Sequence, residues 1–103
     1  MIDEEYLTDA IEGIIHMNGR GNQMIVAIEE LSELQKELTK QLRLIGDREH
    51  LVEELSDVWI VFNEVCCMFH VGEDEIDSVV YEKIDRTLKR LGLHWIIDKH
   101  KSS

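Results

Sequence analysis

The chain has 103 residues, of which 44% are hydrophobic, and its formal net charge is −11 at pH 7. This length predicts a single domain over residues 1–103, and the acidic balance excludes binding to nucleic acid polymers through their phosphates. We see no leader and no apolar run near the roughly 18 residues of a membrane span, so we expect a cytoplasmic protein without a membrane partner.

Four helices are predicted in chain order, at roughly residues 4–17, 23–45, 48–71 and 74–91. In each of them apolar residues recur at intervals of three, four and seven, which is the period of a helix with one buried face. Glycines separate the helices, and Asn22 and Asp47 are the predicted N-caps of the second and the third. No strand pattern competes, so the sequence predicts an all-α fold, a compact four-helix array.

The second and third helices each carry a stripe that we expect to be buried. In the second helix it consists of Met24, Ile28, Leu31, Leu38, Leu42 and Ile45. In the third it consists of Leu51, Leu55, Val58, Trp59, Phe62, Cys66 and Phe69. After residue 91 a tail containing the sequence HWII is expected to dock on this chain or on a partner, and it is polar from about residue 98. Because one small domain hides less apolar surface than this, we expect a homodimer, with a homotetramer as the alternative.

An acidic hexapeptide occurs twice, as EELSEL at residues 29–34 and as EELSDV at residues 53–58. With a helical turn of about 100° per residue, Glu30 and Glu33 lie on one shoulder of the second helix's stripe. Glu54 and Asp57 occupy the same two angular positions relative to the apolar stripe of the third helix. If the two helices pack antiparallel through these stripes, the shoulders approach and the four carboxylates converge. Converging anions need a cation, and Mg²⁺ prefers oxygen ligands.

A single E-x-x-E pattern is equally typical of a solvated helix flank, because Glu is a good helix former. Two observations favour the metal site. The acidic pair recurs with the same phase against the apolar stripe, and the run VWIVF follows Asp57 directly. Such a run is typical of a mostly buried helix, where an unpaired charge is costly.

The two hexapeptides resemble the motif of the MazG-like all-α nucleoside triphosphate pyrophosphohydrolases, E-E-x-x-E followed after a spacer by E-x-x-D. The spacer between Glu33 and Glu54 has 20 residues, and the resemblance covers about residues 20–91. Related groups share the motif, namely the dimeric dUTPases, the dCTP pyrophosphatases and the phosphoribosyl-ATP pyrophosphohydrolases.

The resemblance implies Mg²⁺ ligands at Glu30, Glu33, Glu54 and Asp57, with Mn²⁺ as a substitute. It implies hydrolysis of a nucleoside triphosphate between its α- and β-phosphates, which gives a nucleoside monophosphate and pyrophosphate. Glu33 is our candidate for the carboxylate that orients or deprotonates the attacking water. From the angular positions of two further acids around their helices, we assign an auxiliary role to Glu29 and a solvent-facing position to Glu53.

A triphosphate also attracts protein cations, and the fourth predicted helix offers Lys83, Arg86 and Arg90 within an arc of about 60°. We expect these three side chains to bind the substrate's phosphates. The alternative is a solvated basic face that balances Glu82 and Asp85 on the same helix.

Three residues are candidates for contact with the nucleobase. The amide of Gln23 could read a base edge, and Asn63 could do the same or satisfy a buried carbonyl. Trp95 could stack on a base or pack in a core or an interface.

Two other classes of protein compete with this interpretation. A di-iron carboxylate bundle uses paired Glu-x-x-His motifs, and this chain contains no Glu-x-x-His. A non-enzymatic helical oligomerisation module would present the acidic hexapeptides only as a solvated surface. Within the enzyme class, the base and sugar preference and the phosphoribosyl-ATP activity stay open.

Overall fold

The computed structural model describes residues 2–101, which form five helices and no strand. The helices are α1 (Glu4–Asn18), α2 (Arg20–Leu42), α3 (Arg48–Met68), α4 (Glu73–Arg90) and α5 (His94–Lys99). The all-α prediction is confirmed, and α5 is a short additional helix inside the predicted tail. Contacts group the chain into two units, residues 1–70 with α1 to α3 and residues 71–103 with α4 and α5. The single domain stays a prediction, and each unit is described by itself.

The start of α2 differs from the prediction by one turn. The helix begins at Arg20, directly after Gly19, whose φ of 91° is open to glycine and strained for other residues. Asn22 was expected to be the N-cap, but it lies inside the first turn, where its side-chain amide donates to the carbonyl oxygen of Asn18 at 2.8 Å. The break in the chain is therefore Gly19.

The ends of α2 and α3 each come three residues before the predicted ones. Leu44 and His70 adopt left-handed backbone conformations just beyond them, with φ of 60° and 54°, which ends a right-handed helix. The predicted cap of α3 is confirmed, because the Asp47 side chain accepts a hydrogen bond from the His50 backbone N–H at 2.8 Å.

In the first unit, α2 and α3 form the closest pair and run antiparallel. The Arg20 guanidinium donates to the Met68 carbonyl oxygen at 2.6 Å, and further along α2 the Gln23 amide donates to Glu64 at 2.7 Å. Later positions of α2 thus meet earlier positions of α3. This is the arrangement that convergence of the acidic pairs requires.

The face of α2 that packs inward is not the predicted apolar stripe. Its buried residues are Gln23, Ala27 and Glu37, and this face is turned by about 80° from the stripe. Within the described chain the stripe itself is largely exposed, at 68% for Ile28 and 51% for Leu31. The prediction that this stripe is buried within the chain was therefore wrong.

The predicted stripe of α3 also needs correction, because some of the apolar residues of this helix are buried and others are exposed to solvent. The buried positions are Val61, Glu64 and Met68, whereas the aromatic members of the predicted stripe are about half exposed. Val61 and Met68, together with Ile11 and Ala27, form the small hydrophobic core of the first unit.

In the second unit, α5 packs on α4. Ile96 and Ile97 line an apolar cavity of about 530 Å³ together with Ile84 and Leu88 of α4. The tail therefore docks within its own unit through Ile96 and Ile97 of its HWII sequence. Among the described helices, none alone is long and apolar enough to cross a membrane, although α3 and α4 taken together across their break meet the length and composition criteria.

Candidate metal centre

Three acidic side chains converge between α2 and α3. Glu30 comes from α2, and Glu54 and Asp57 lie one turn apart on α3. One carboxylate oxygen from each lies within 4.8 Å of the others, and all three residues are partly buried. The structure thus brings together three of the four predicted ligands from two facing helices.

The cluster disfavours ionisation of Glu30. Burial is the main cause that raises the pKa of Glu30, followed by the negative charge of Asp57. A hydrogen bond to Asp57, which only the protonated carboxyl of Glu30 can donate, and the charges of Glu54 and Glu33 act in the same direction. In the absence of a cation, the ionised form of this site is therefore unfavourable.

Glu54 adds an independent sign of a missing partner. Its Oε2 atom is buried and has no hydrogen-bond partner among residues 2–101. A carboxylate oxygen in this position is costly unless a donor or a cation compensates it. Three carboxylates with a free oxygen match the oxygen-rich ligand set of a hard divalent ion, so the residues present fit Mg²⁺.

Glu33, the fourth predicted ligand, lies outside this cluster. Its carboxylate is exposed and forms an ion pair with Lys36 of the same helix at 3.2 Å. It still contributes to the raised pKa of Glu30, so its charge is felt at the site. Its assignments as a ligand and as the base for water stay predictions.

Gln23 has hydrogen-bond partners inside the first unit, and its contact with a base stays a prediction. The side chain is 4% exposed, donates to Glu64 at 2.7 Å and accepts from the Asn18 amide at 3.0 Å. Both ends of its amide are therefore occupied. Glu64 is itself 2% exposed, and the sequence interpretation missed this pair because both residues lie away from the predicted apolar stripes.

The other two base candidates are Asn63 and Trp95. The Asn63 amide donates to the Trp59 carbonyl oxygen one turn earlier at 2.8 Å through an exposed bond, and its contact with a base stays a prediction. Trp95 lies in the second unit and is 61% exposed. Its role in stacking stays a prediction.

The basic residues expected at the phosphates all lie on α4 in the second unit. Arg86 pairs with Glu82 at 3.8 Å, while Lys83 and Arg90 are exposed and form no ion pair within residues 2–101. Two of the three cations are thus free for an anion. Their relation to the carboxylates stays a prediction.

Comparisons with protein-family models, with curated proteins and with solved structures found no match. Membership of the MazG-like family therefore stays a prediction that rests on the two acidic motifs.

The raised pKa of Glu30 predicts how stability depends on pH in metal-free protein. The folded state favours the protonated form of Glu30. The contribution of this carboxyl to folding stability is therefore fully present below the unfolded Glu pKa of about 4.3, and it is lost as pH rises through the higher pKa of the folded state. We expect the Glu30→Gln variant to gain stability relative to the wild type across this window, as measured by urea unfolding in EDTA. A stability difference independent of pH would contradict the account.

Proposed function

We propose that the protein is a Mg²⁺-dependent nucleoside triphosphate pyrophosphohydrolase that releases a nucleoside monophosphate and pyrophosphate. The observation that carries this proposal is the convergence of Glu30, Glu54 and Asp57, together with a buried oxygen of Glu54 that has no hydrogen-bond partner among residues 2–101. The resemblance of the two acidic hexapeptides to the MazG-like motif adds the reaction and the substrate class.

In this proposal Glu30, Glu54 and Asp57 hold the divalent ion, with Mn²⁺ as a substitute for Mg²⁺. The ion, when bound, supplies a positive charge for the phosphate oxygens and lowers the pKa of water. Glu33, which lies outside the cluster, accepts a proton from the attacking water or orients it. The roles of Lys83, Arg86 and Arg90 at the phosphates, and of Gln23, Asn63 and Trp95 at the base, belong to this proposal as predictions from the sequence.

The non-enzymatic alternative is a helical oligomerisation module, and the exposed apolar stripe of α2 favours it. Both proposals allow a homo-oligomer, and they differ in whether the protein hydrolyses a substrate. A module of this kind shows no response to Mg²⁺, whereas the enzyme needs the ion. The narrower activities, on dUTP, dCTP or phosphoribosyl-ATP, are variants of the first proposal.

The proposed function is tested by incubating the pure protein with each of the eight common nucleoside triphosphates and Mg²⁺ and measuring pyrophosphate. We expect release from at least one triphosphate and none in EDTA. Phosphoribosyl-ATP and dUTP are the two additional substrates to assay. Absence of release from all ten compounds would contradict the proposal.

We also propose that the protein forms a homodimer through the exposed apolar stripe, with a homotetramer as the alternative. Ile28 and Leu31 lie on this stripe and are more than half exposed, and a charge on a buried interface is costly. We expect Ile28→Glu to shift the mass measured by light scattering from dimer to monomer. A wild-type protein that is monomeric at micromolar concentration would contradict this assembly.

A further inference from the structure

A polar cavity of about 280 Å³ adjoins the candidate metal centre. Four glutamates line it, namely Glu33, Glu37, Glu53 and Glu54, and Glu54 belongs to the metal centre. Lys36 and Lys40 of α2 and His50 of α3 also line it. None of these three basic residues was singled out from the sequence, because they come together only when α2 and α3 pack antiparallel.

The two lysines differ in their state of pairing. The Nζ atom of Lys36 forms an ion pair with Oε1 of Glu33 at 3.2 Å. Lys40 is exposed and has no ion pair within residues 2–101. Its ammonium group thus stands free at the wall of a cavity that is otherwise rich in acids.

His50 completes the basic side of the cavity. Its Nδ1 atom is 2.9 Å from the Asp47 carboxylate, which fixes the ring and leaves Nε2 without a hydrogen bond among the described residues. The cavity therefore presents a free ammonium and a free ring nitrogen beside its four carboxylates, so an anion bound here also depends on the cation at the metal centre.

We propose that Lys40, with Lys36 and His50, binds the terminal phosphates of a polyphosphate whose other oxygens are held at the metal centre. Lysine is a compact point charge that suits phosphate oxygens and repels a second metal ion. At about 30 Å³ per water molecule, the cavity holds about nine waters, which is enough for a diphosphate group. This inference rests on the proposed function and adds the position of the departing pyrophosphate.

The proposal places the anion in the half of the α2–α3 pair that is close to the loop between the helices. Lys40 lies in the last turn of α2, and His50 in the first turn of α3. The nucleoside then extends away from this loop. The ligand class is a condensed phosphate of two or more units, either in a nucleotide or as a free ion.

The test is the binding of inorganic triphosphate, measured by calorimetry in Mg²⁺ with the full chain. We expect Lys40→Met to weaken binding about tenfold, which is the loss of one charge-assisted contact worth about 1.4 kcal/mol. The matched control is Arg43→Gln, which removes the same charge one turn further along the chain and does not line the cavity. A non-hydrolysable nucleoside triphosphate should show the same tenfold loss, and a nucleoside monophosphate should show none.

The outcomes separate this inference from the proposed function. Wild-type binding with an equal loss in Lys40→Met and Arg43→Gln, or with no loss in either, would overturn the phosphate site and leave the enzyme proposal standing. A wild type that neither binds triphosphate nor releases pyrophosphate would overturn both. The melting midpoint of Lys40→Met in Mg²⁺ without phosphate should equal that of the wild type, which excludes misfolding as the cause.

Discussion

Replacement of Glu54 by Gln is expected to lower Mg²⁺-dependent pyrophosphate release by about 10²- to 10³-fold, the range that loss of one electrostatic group in an active site commonly costs. This corresponds to about 3–4 kcal/mol of transition-state stabilisation. The variant keeps the size of the side chain and removes its charge. Since the Oε2 atom of Glu54 has no partner in the described chain, the metal-free fold gains from losing that charge, and the expected defect is in activity.

The control for this prediction is Glu49→Gln, which removes an equal charge from an exposed position of the same helix. It should retain the wild-type rate. A Glu54→Gln variant that is as active as the wild type, with an unchanged requirement for Mg²⁺, would contradict a ligand role for Glu54. Loss of activity in both variants together with a lower melting midpoint would show instead that α3 is destabilised.

The convergence of Glu30, Glu54 and Asp57 was predicted from helical phase and antiparallel packing, whereas the predicted contact through the apolar stripes was wrong. The packed face of α2 is turned by about 80° from the stripe toward Glu30. A short loop predicts antiparallel neighbours, and equal bearings on two antiparallel helices bring the same positions together. Glu33 shows the limit of this reasoning. It is offset from Glu30 by about 60° around the helix, and its pairing with Lys36 depends on side-chain rotamers that periodicity does not give.

The buried face of α2 was not predictable from hydrophobicity. Gln23 and Glu37 are buried while Ile28 and Leu31 are exposed, because hydrogen bonds to a neighbouring helix can compensate a buried polar group. The Gln23 amide finds its partner in Glu64, 41 positions further along the chain. That partner becomes visible only with the register of α2 against α3.

The start of α2 was also set by a contact between distant residues. Glycine inside a helix costs about 1 kcal/mol of stability relative to alanine. For this reason the sequence predicted a turn over the whole segment from Gly19 to Gly21. Arg20 offsets this cost, because its guanidinium donates to the Met68 carbonyl oxygen and lies 4.6 Å from the centre of the Phe69 ring. The helix therefore continues through Gly21.

The second large effect is expected on thermal stability. A ligand that binds only the folded state stabilises it by about 2.7 kcal/mol at 100 times its dissociation constant. For a domain of this size, that raises the melting midpoint by about 10–20 °C. The like charges around Glu30 that raise its pKa are the repulsion that a divalent ion removes. Glu30→Gln is therefore expected to melt higher than the wild type in EDTA and to lose most of the response to Mg²⁺.

The most direct measurement is the melting midpoint of the wild type and of Glu30→Gln, each in EDTA and in saturating Mg²⁺ at constant ionic strength. The account predicts a Mg²⁺-dependent rise in the wild type that EDTA reverses and that Glu30→Gln loses. A wild-type midpoint that is the same with and without Mg²⁺ would contradict a metal site at these carboxylates.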